Sequence, residues 1–196
     1  MEQLRNVAKE ILSQAFRPFA WALLRWHVTP NMVSVTGVLL NLVAAALVVA
    51  DRPVLAALTY LAAGGLDLLD GVLARMAEMA TRFGAFVDST ADRISEGVVF
   101  AAIAYRFAVD GQPVDAALVV LALLGSLLVS YTRARAEGLG LECKVGFVTR
   151  AERVILIAFG LMFGLLPQAI YLLVALTALT VAQRVVHTMR QLYPQG

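Results

Sequence analysis

Asp67-Leu68-Leu69-Asp70-Gly71-Val72-Leu73-Ala74-Arg75 and, eight residues further on, Gly84-Ala85-Phe86-Val87-Asp88-Ser89-Thr90-Ala91-Asp92 set four aspartates within 26 residues of an otherwise apolar region. An ionised side chain inside a membrane span costs roughly 2.5–3.5 kcal/mol or more unless it is paired, metal-bound or wet. On a helix, residues three and four apart share a face. Asp67 and Asp70 therefore project together from one helix, and Asp88 and Asp92 from the next. The short segment between the helices sets them antiparallel, so that the four carboxylates converge at one end.

The surroundings are those of a membrane protein. Of 196 residues, 60% are apolar and only 15% charged, against about a quarter charged in an ordinary soluble domain. Apolar runs approaching the roughly 20 residues that cross a bilayer begin with Met32 to Ala50. A second starts near Val54 and ends on the first aspartate pair; a third covers about Phe83 to Val109 and opens on the second pair. The fourth runs from Val114 to about Arg135. Val154 to Leu166 and Ala169 to Ala182 reach full length when extended to Arg150 and His187, with Leu166-Pro167-Gln168 as the hairpin between them. The expected fold is all-α and integral to the membrane, a single domain over 1–196. Residues 29–196 form six transmembrane helices, and 1–28 precede them as a juxtamembrane amphipathic helix with apolar positions at helical spacing from Leu4 to Ala15.

Basic residues set the orientation. Six spans place both termini on one side, together with fourteen of the sixteen lysines and arginines; Arg52 and Arg106 fall on the other. This excess places the termini and the aspartates on the cytoplasmic side of a cell membrane. A net charge of +2 gives no ground for nucleic-acid binding. Cys143 is alone and reads as a bystander, and neither His27 nor His187 has a partner at zinc-ligand spacing. No signal-peptide pattern marks the N-terminal stretch.

Four convergent carboxylates repel one another unless cations neutralise them, and all-oxygen ligation favours hard ions such as Mg²⁺ together with substrate phosphates. Two ions match four carboxylates. The bland reading is an ion network with Arg75, Arg82 and Arg93 at the membrane boundary. Gly64 and Gly65 read as close-packing positions between helices. Gly71 leaves the backbone beside Asp70 open to a ligand.

Written as Asp-x-x-Asp-Gly-x-x-Ala-Arg, eight residues, Gly-x-x-x-Asp-x-x-x-Asp, the stretch resembles the CDP-alcohol phosphotransferase signature at all eight fixed positions. Thr29-Pro30-Asn31 before the first span is also similar to that family. The resemblance implies two Mg²⁺ ions, with Mn²⁺ as a substitute, held by Asp67, Asp70, Asp88 and Asp92, with Asp92 also taking the proton of the acceptor hydroxyl. It implies a CDP-lipid site of Pro30, Asn31, Met32, Val33, Gly71, Ala74, Arg75 and Thr81, a CDP-diacylglycerol or CDP-archaeol donor, and a homodimer. Ser130-Tyr131-Thr132-Arg133-Ala134-Arg135-Ala136-Glu137-Gly138-Leu139-Gly140 resembles the phosphatidylinositol-phosphate synthase branch, with arginine at 133 where that branch often has lysine. Arg133, Arg135, Arg150 and Arg153, with Arg184, then read as a pocket for a phosphorylated alcohol, since guanidinium groups bind phosphate bidentately. Inositol 1-phosphate is the expected acceptor and glycerol 3-phosphate the runner-up. A cation-coupled transporter is the rival class, but its acids belong nearer the bilayer midplane.

Overall fold

The structure, a computed structural model, describes residue 14 and residues 16–77 and 81–193. Among these residues every regular element is an α-helix. A first helix, α1, is helical over 16–25. It is followed by α2 (Pro30–Val49), α3 (Pro53–Met76), α4 (Arg82–Val109), α5 (Pro113–Gly138), α6 (Arg150–Phe163) and α7 (Leu166–Leu192). Of the expected helix over 1–28, residues 1–13 and 15 lie outside the described residues.

Proline in the first turn starts α2, α3, α5 and α7, where its missing N–H costs nothing. Three reversals are two or three residues long and each contains a left-handed residue: Asp51 (φ 58°), Gly111 (φ 72°) and Gly164 (φ 68°). The last differs from expectation. Gly164 closes α6, and Leu166-Pro167-Gln168 is already the first turn of α7 rather than the hairpin. Connections this short force antiparallel neighbours and place all three reversals at one end. At that end Arg106 pairs with Asp51 at 3.3 Å and Asp110 at 2.9 Å. The longer connections, and the aspartates, lie at the other.

Among the described residues four helices, α2, α3, α5 and α7, are long and apolar enough to cross a membrane, and the chain is a multi-pass membrane protein. The principal packing runs in a closed circuit, α2 to α3 to α6 to α7 to α5 to α4 and back to α2. Small residues let the helices approach: a β-carbon at Gly64 would lie 3.0 Å from Cγ1 of Val154 on α6, whereas nothing lies within 4 Å of one at Gly65. Gly64 thus packs as expected and Gly65 does not. The interior holds Ala56, Ala57, Phe100, Ile103, Ile157 and Leu173, while leucines, valines and isoleucines on outer faces are exposed, as a lipid solvent requires. Beside α2 and α3, Ala20 of α1 is buried with Val33, Leu69 and Leu73, and Phe19, Trp21 and Trp26 face outward.

A buried polar link crosses the circuit. Arg153 of α6, 2% exposed, donates from Nε to Glu96 Oε1 at 2.6 Å and from Nη2 to Oε2 at 2.8 Å. Breaking a buried pair by removing one partner costs about 3–5 kcal/mol, while replacing both by apolar side chains of similar volume is often neutral. Glu96→Leu should therefore lower the thermal unfolding midpoint in detergent strongly, and the double variant Glu96→Leu/Arg153→Met should recover most of that loss.

Candidate functional site

At the end of the bundle opposite the tight reversals, the N-termini of α2, α4 and α6 meet the C-terminal part of α3. Thr29 caps α2 by accepting from Met32 N at 3.4 Å, and Thr81 caps α4 by accepting from Gly84 N at 3.0 Å. Gly84 matters locally, because a β-carbon there would lie 3.1 Å from Thr81 Oγ1. Neither helix has an acidic residue in its first turn, so both present unneutralised positive dipole ends.

These two caps border a cavity of about 450 Å³. Pro30, Asn31, Gly71, Ala74, Arg75 and Thr81, all expected around a nucleotide, line it. Asp70 and Asp88 enter it from facing helices. Met32 and Val33 do not line it: Met32 is turned outward at 56% exposure and Val33 is buried in the core. Four consecutive helical residues span more than a full turn, so one face takes Pro30, Asn31 and then Ser34 instead. Ser34 was not legible as a site residue, although its spacing of four and three from Pro30 and Asn31 was the available signal. Its hydroxyl donates to Asp70 Oδ2 at 2.7 Å, satisfying a carboxylate only 6% exposed. A β-carbon at Gly71 would lie 3.7 Å from Arg75 Nη1, so side chains at 71 would fill the space the guanidinium borders.

Asp67 and Asp92 face each other across one guanidinium. Arg150 Nη1 contacts Asp67 Oδ2 directly and Asp92 Oδ1 at 2.6 Å. Among the described residues no three carboxylate, imidazole or thiol groups stand at the spacing that would hold one ion; between Asp67 and Asp92 the space is taken by Arg150. The donor chemistry nevertheless fits a hard divalent ion: oxygens alone, on facing helices, already gathered around positive charge. Of the alternative ion network with Arg75, Arg82 and Arg93, the described residues show Arg93 alone beside an aspartate, 3.8 Å from Asp92.

The five arginines expected as one pocket are dispersed. Arg133 and Arg135 are exposed near the end of α5, with Arg133 Nε 2.7 Å from Glu137 Oε1. Arg150 sits in the aspartate cluster, and Arg153 is turned inward to Glu96. Arg184, 4% exposed, donates to the carbonyl of Val145 at 2.9 Å and to that of Val129. It pins the 139–149 connection to α5 and α7. Thr180 Oγ1 helps by accepting from the N–H groups of Phe147 and Val148, each at 3.3 Å. Glu96 and Gly37 are the other residues that sequence reasoning missed. Glu96 lies four residues beyond Asp92 and so on its face. A β-carbon at Gly37 of α2 would lie 3.3 Å from Asp67 Oδ1.

Residues 27–186 match the sequence profile of CDP-alcohol phosphatidyltransferases. The chain is 34% identical to the archaetidylinositol phosphate synthase of Methanothermobacter thermautotrophicus over 97% of both chains. It is 32% identical to the phosphatidylinositol phosphate synthase of Mycobacteroides abscessus, over 94% of this chain and 87% of the relative. The Mycobacterium tuberculosis phosphatidylinositol phosphate synthase with CDP-diacylglycerol bound superimposes with a TM-score of 0.81 at 31% identity, covering 90% of this chain and 94% of that one. The same enzyme with manganese and citrate gives 0.79 at 32%, covering 88% of each.

Residues that support an ion's ligands typically contribute 10–100-fold to its affinity. Gly37→Val, which crowds Asp67, should weaken Mn²⁺ binding about tenfold or more as read by the free-ion electron paramagnetic resonance signal. Gly65→Val, with open space around it, should leave binding unchanged.

Proposed function

This chain belongs to the CDP-alcohol phosphatidyltransferase family, and from that premise we propose that it transfers a phosphatidyl group, or its ether-lipid equivalent, from a CDP-linked lipid to inositol 1-phosphate, releasing CMP. The observation that carries the reading is the cavity in which Asp70, Asp88, Gly71 and Arg75 face the N-termini of α2 and α4. A diphosphate carries the charge that such helix ends and a guanidinium attract, and Gly71 leaves room beside them. Relatives whose names specify inositol phosphate products, and the 130–140 stretch, support the acceptor.

Asp67, Asp70, Asp88 and Asp92 would hold two divalent ions, Mg²⁺ or Mn²⁺. Such ions, when bound, neutralise phosphoryl oxygens and the leaving phosphate. Pro30, Asn31, Gly71, Ala74, Arg75 and Thr81 are the proposed surroundings of the CDP-lipid, with Ser34 orienting Asp70 through its 2.7 Å hydrogen bond. The acceptor hydroxyl oxygen attacks the phosphorus attached to the lipid, and the bond from that phosphorus to the oxygen bridging to CMP breaks. Asp92 accepts the hydroxyl proton. Arg133, Arg135 and Arg150 are the proposed acceptor arginines, while Arg153 and Arg184 serve them from buried positions as anchors of α6 and of the 139–149 connection.

We read α4 and α6 as spans too, making six, with α1 in the interface and its outward Trp21 and Trp26 at headgroup level. The termini and the site face the cytoplasm across the plasma membrane, and the enzyme is a homodimer.

Radiolabelled transfer from CDP-diacylglycerol to inositol 1-phosphate, glycerol 3-phosphate and free inositol, with CMP release followed, tests the reaction. Inositol 1-phosphate should be preferred, and excess chelator should abolish turnover. Preference for glycerol 3-phosphate would move the enzyme to the neighbouring reaction, and equal use of free inositol would remove the phosphate pocket. Asp67→Asn, Asp70→Asn, Asp88→Asn and Asp92→Asn should each nearly abolish transfer in folded protein. Gly71→Val and Arg75→Ala should weaken CDP-lipid affinity by calorimetry.

A further inference from the structure

Arg150 is the first residue of α6, and its backbone has little freedom. Glu152 accepts from Thr149 N at 2.8 Å and fixes the first turn, and one turn later Arg153 is tied to Glu96 by two bonds. The Arg150 side chain is held differently. It touches two carboxylates from two other helices, Asp67 of α3 and Asp92 of α4. Its Nε–H is buried with no acceptor among the described residues. Charge therefore holds this placement, while hydrogen bonding leaves one donor unmet, an arrangement that costs free energy. The guanidinium and both carboxylates are about one-fifth exposed, so a long flexible side chain has an open route away from them.

Asp67 and Asp92 are also the carboxylates the proposed reaction assigns to a divalent ion, and this inference rests on that reading. A carboxylate oxygen committed to a guanidinium is a poorer ion ligand, and a guanidinium and a divalent ion repel each other at such range. We propose that Arg150 competes with the divalent ion for Asp67 and Asp92, so that ion loading releases its guanidinium toward the phosphate of the acceptor. Arg150 then couples the two halves of the site. The ion binds against Arg150, and the released guanidinium binds the acceptor more readily once the ion is in place. By linkage the effect is mutual, and such couplings are typically about 5–150-fold.

Two measurements on the full chain in detergent test this. In the first, Mn²⁺ affinity is read by electron paramagnetic resonance without any substrate. Arg150→Gln should bind Mn²⁺ about fivefold or more tightly than the unsubstituted protein, and Arg150→Lys, which keeps the charge, should stay near it. Unchanged or weaker Mn²⁺ binding in folded Arg150→Gln overturns the proposal. The second needs no substitution. Phenylglyoxal, which modifies accessible arginines, is applied with and without Mn²⁺ and the peptides are mapped. Mn²⁺ should raise modification of Arg150 about fivefold or more and leave Arg153 protected by Glu96; an Arg150 rate unchanged or slowed by Mn²⁺ overturns the proposal. The underlying reading fails separately. If Asp67→Asn leaves Mn²⁺ affinity intact, the ion-ligand assignment is wrong, whereas weakened binding there with no Arg150 effect removes only the competition.

Discussion

A carboxylate and a guanidinium buried together in an apolar interior are tolerated only as a pair, and the Glu96–Arg153 pair imposes that condition on the whole bundle. Helices α4 and α6 are not principal neighbours in the packing circuit, yet the pair requires them to face each other across it. With 14 residues, α6 has little length over which to find its register by apolar packing alone. The two hydrogen bonds to Glu96 fix its depth and rotation, and Gly64 lets Val154 settle against α3. One turn earlier on the same face, Arg150 is delivered between Asp67 and Asp92. The site's electrostatics thus depend on an ion pair that lies outside the site.

The division of charge along the bundle follows from the same economy. At the end with the tight reversals, Arg106 is neutralised by Asp51 and Asp110. The opposite end concentrates the aspartates and most arginines, and holds a cavity bordered by helix N-termini. That end suits a reaction whose donor is half lipid and half nucleotide: the outer faces of the helices are apolar, and the cavity between their ends carries Asp70, Asp88 and Arg75. Exposed Phe83, which lines the cavity, and exposed Phe86 on α4 carry the apolar surface up to the cavity's rim.

Close approach is the second requirement. Gly37 and Gly64 bring α2 and α6 against α3, and Gly84 leaves space for the Thr81 cap. Their roles differ although the residue is the same, and only the neighbour in space distinguishes them: a carboxylate at Gly37, a valine at Gly64, a capping hydroxyl at Gly84. Gly65, one residue from Gly64, faces nothing within 4 Å, because a helix turns about 100° per residue.

Apolar run length sufficed to place α2 to α5 within a few residues of their ends, and spacing alone put each aspartate pair on one face. Those properties are local, carried by helical periodicity and by the cost of charge in an apolar segment. The arginines were a different matter. Their positions were plain, but their partners lie 83 residues away for Asp67 of Arg150, 57 for Glu96 of Arg153 and 39 for Val145 of Arg184. A guanidinium that will bind a ligand and one that will anchor a helix look alike in sequence, since both need only an oxygen within reach. Which oxygen that is depends on how the helices close into their circuit, and only the tertiary structure decided it.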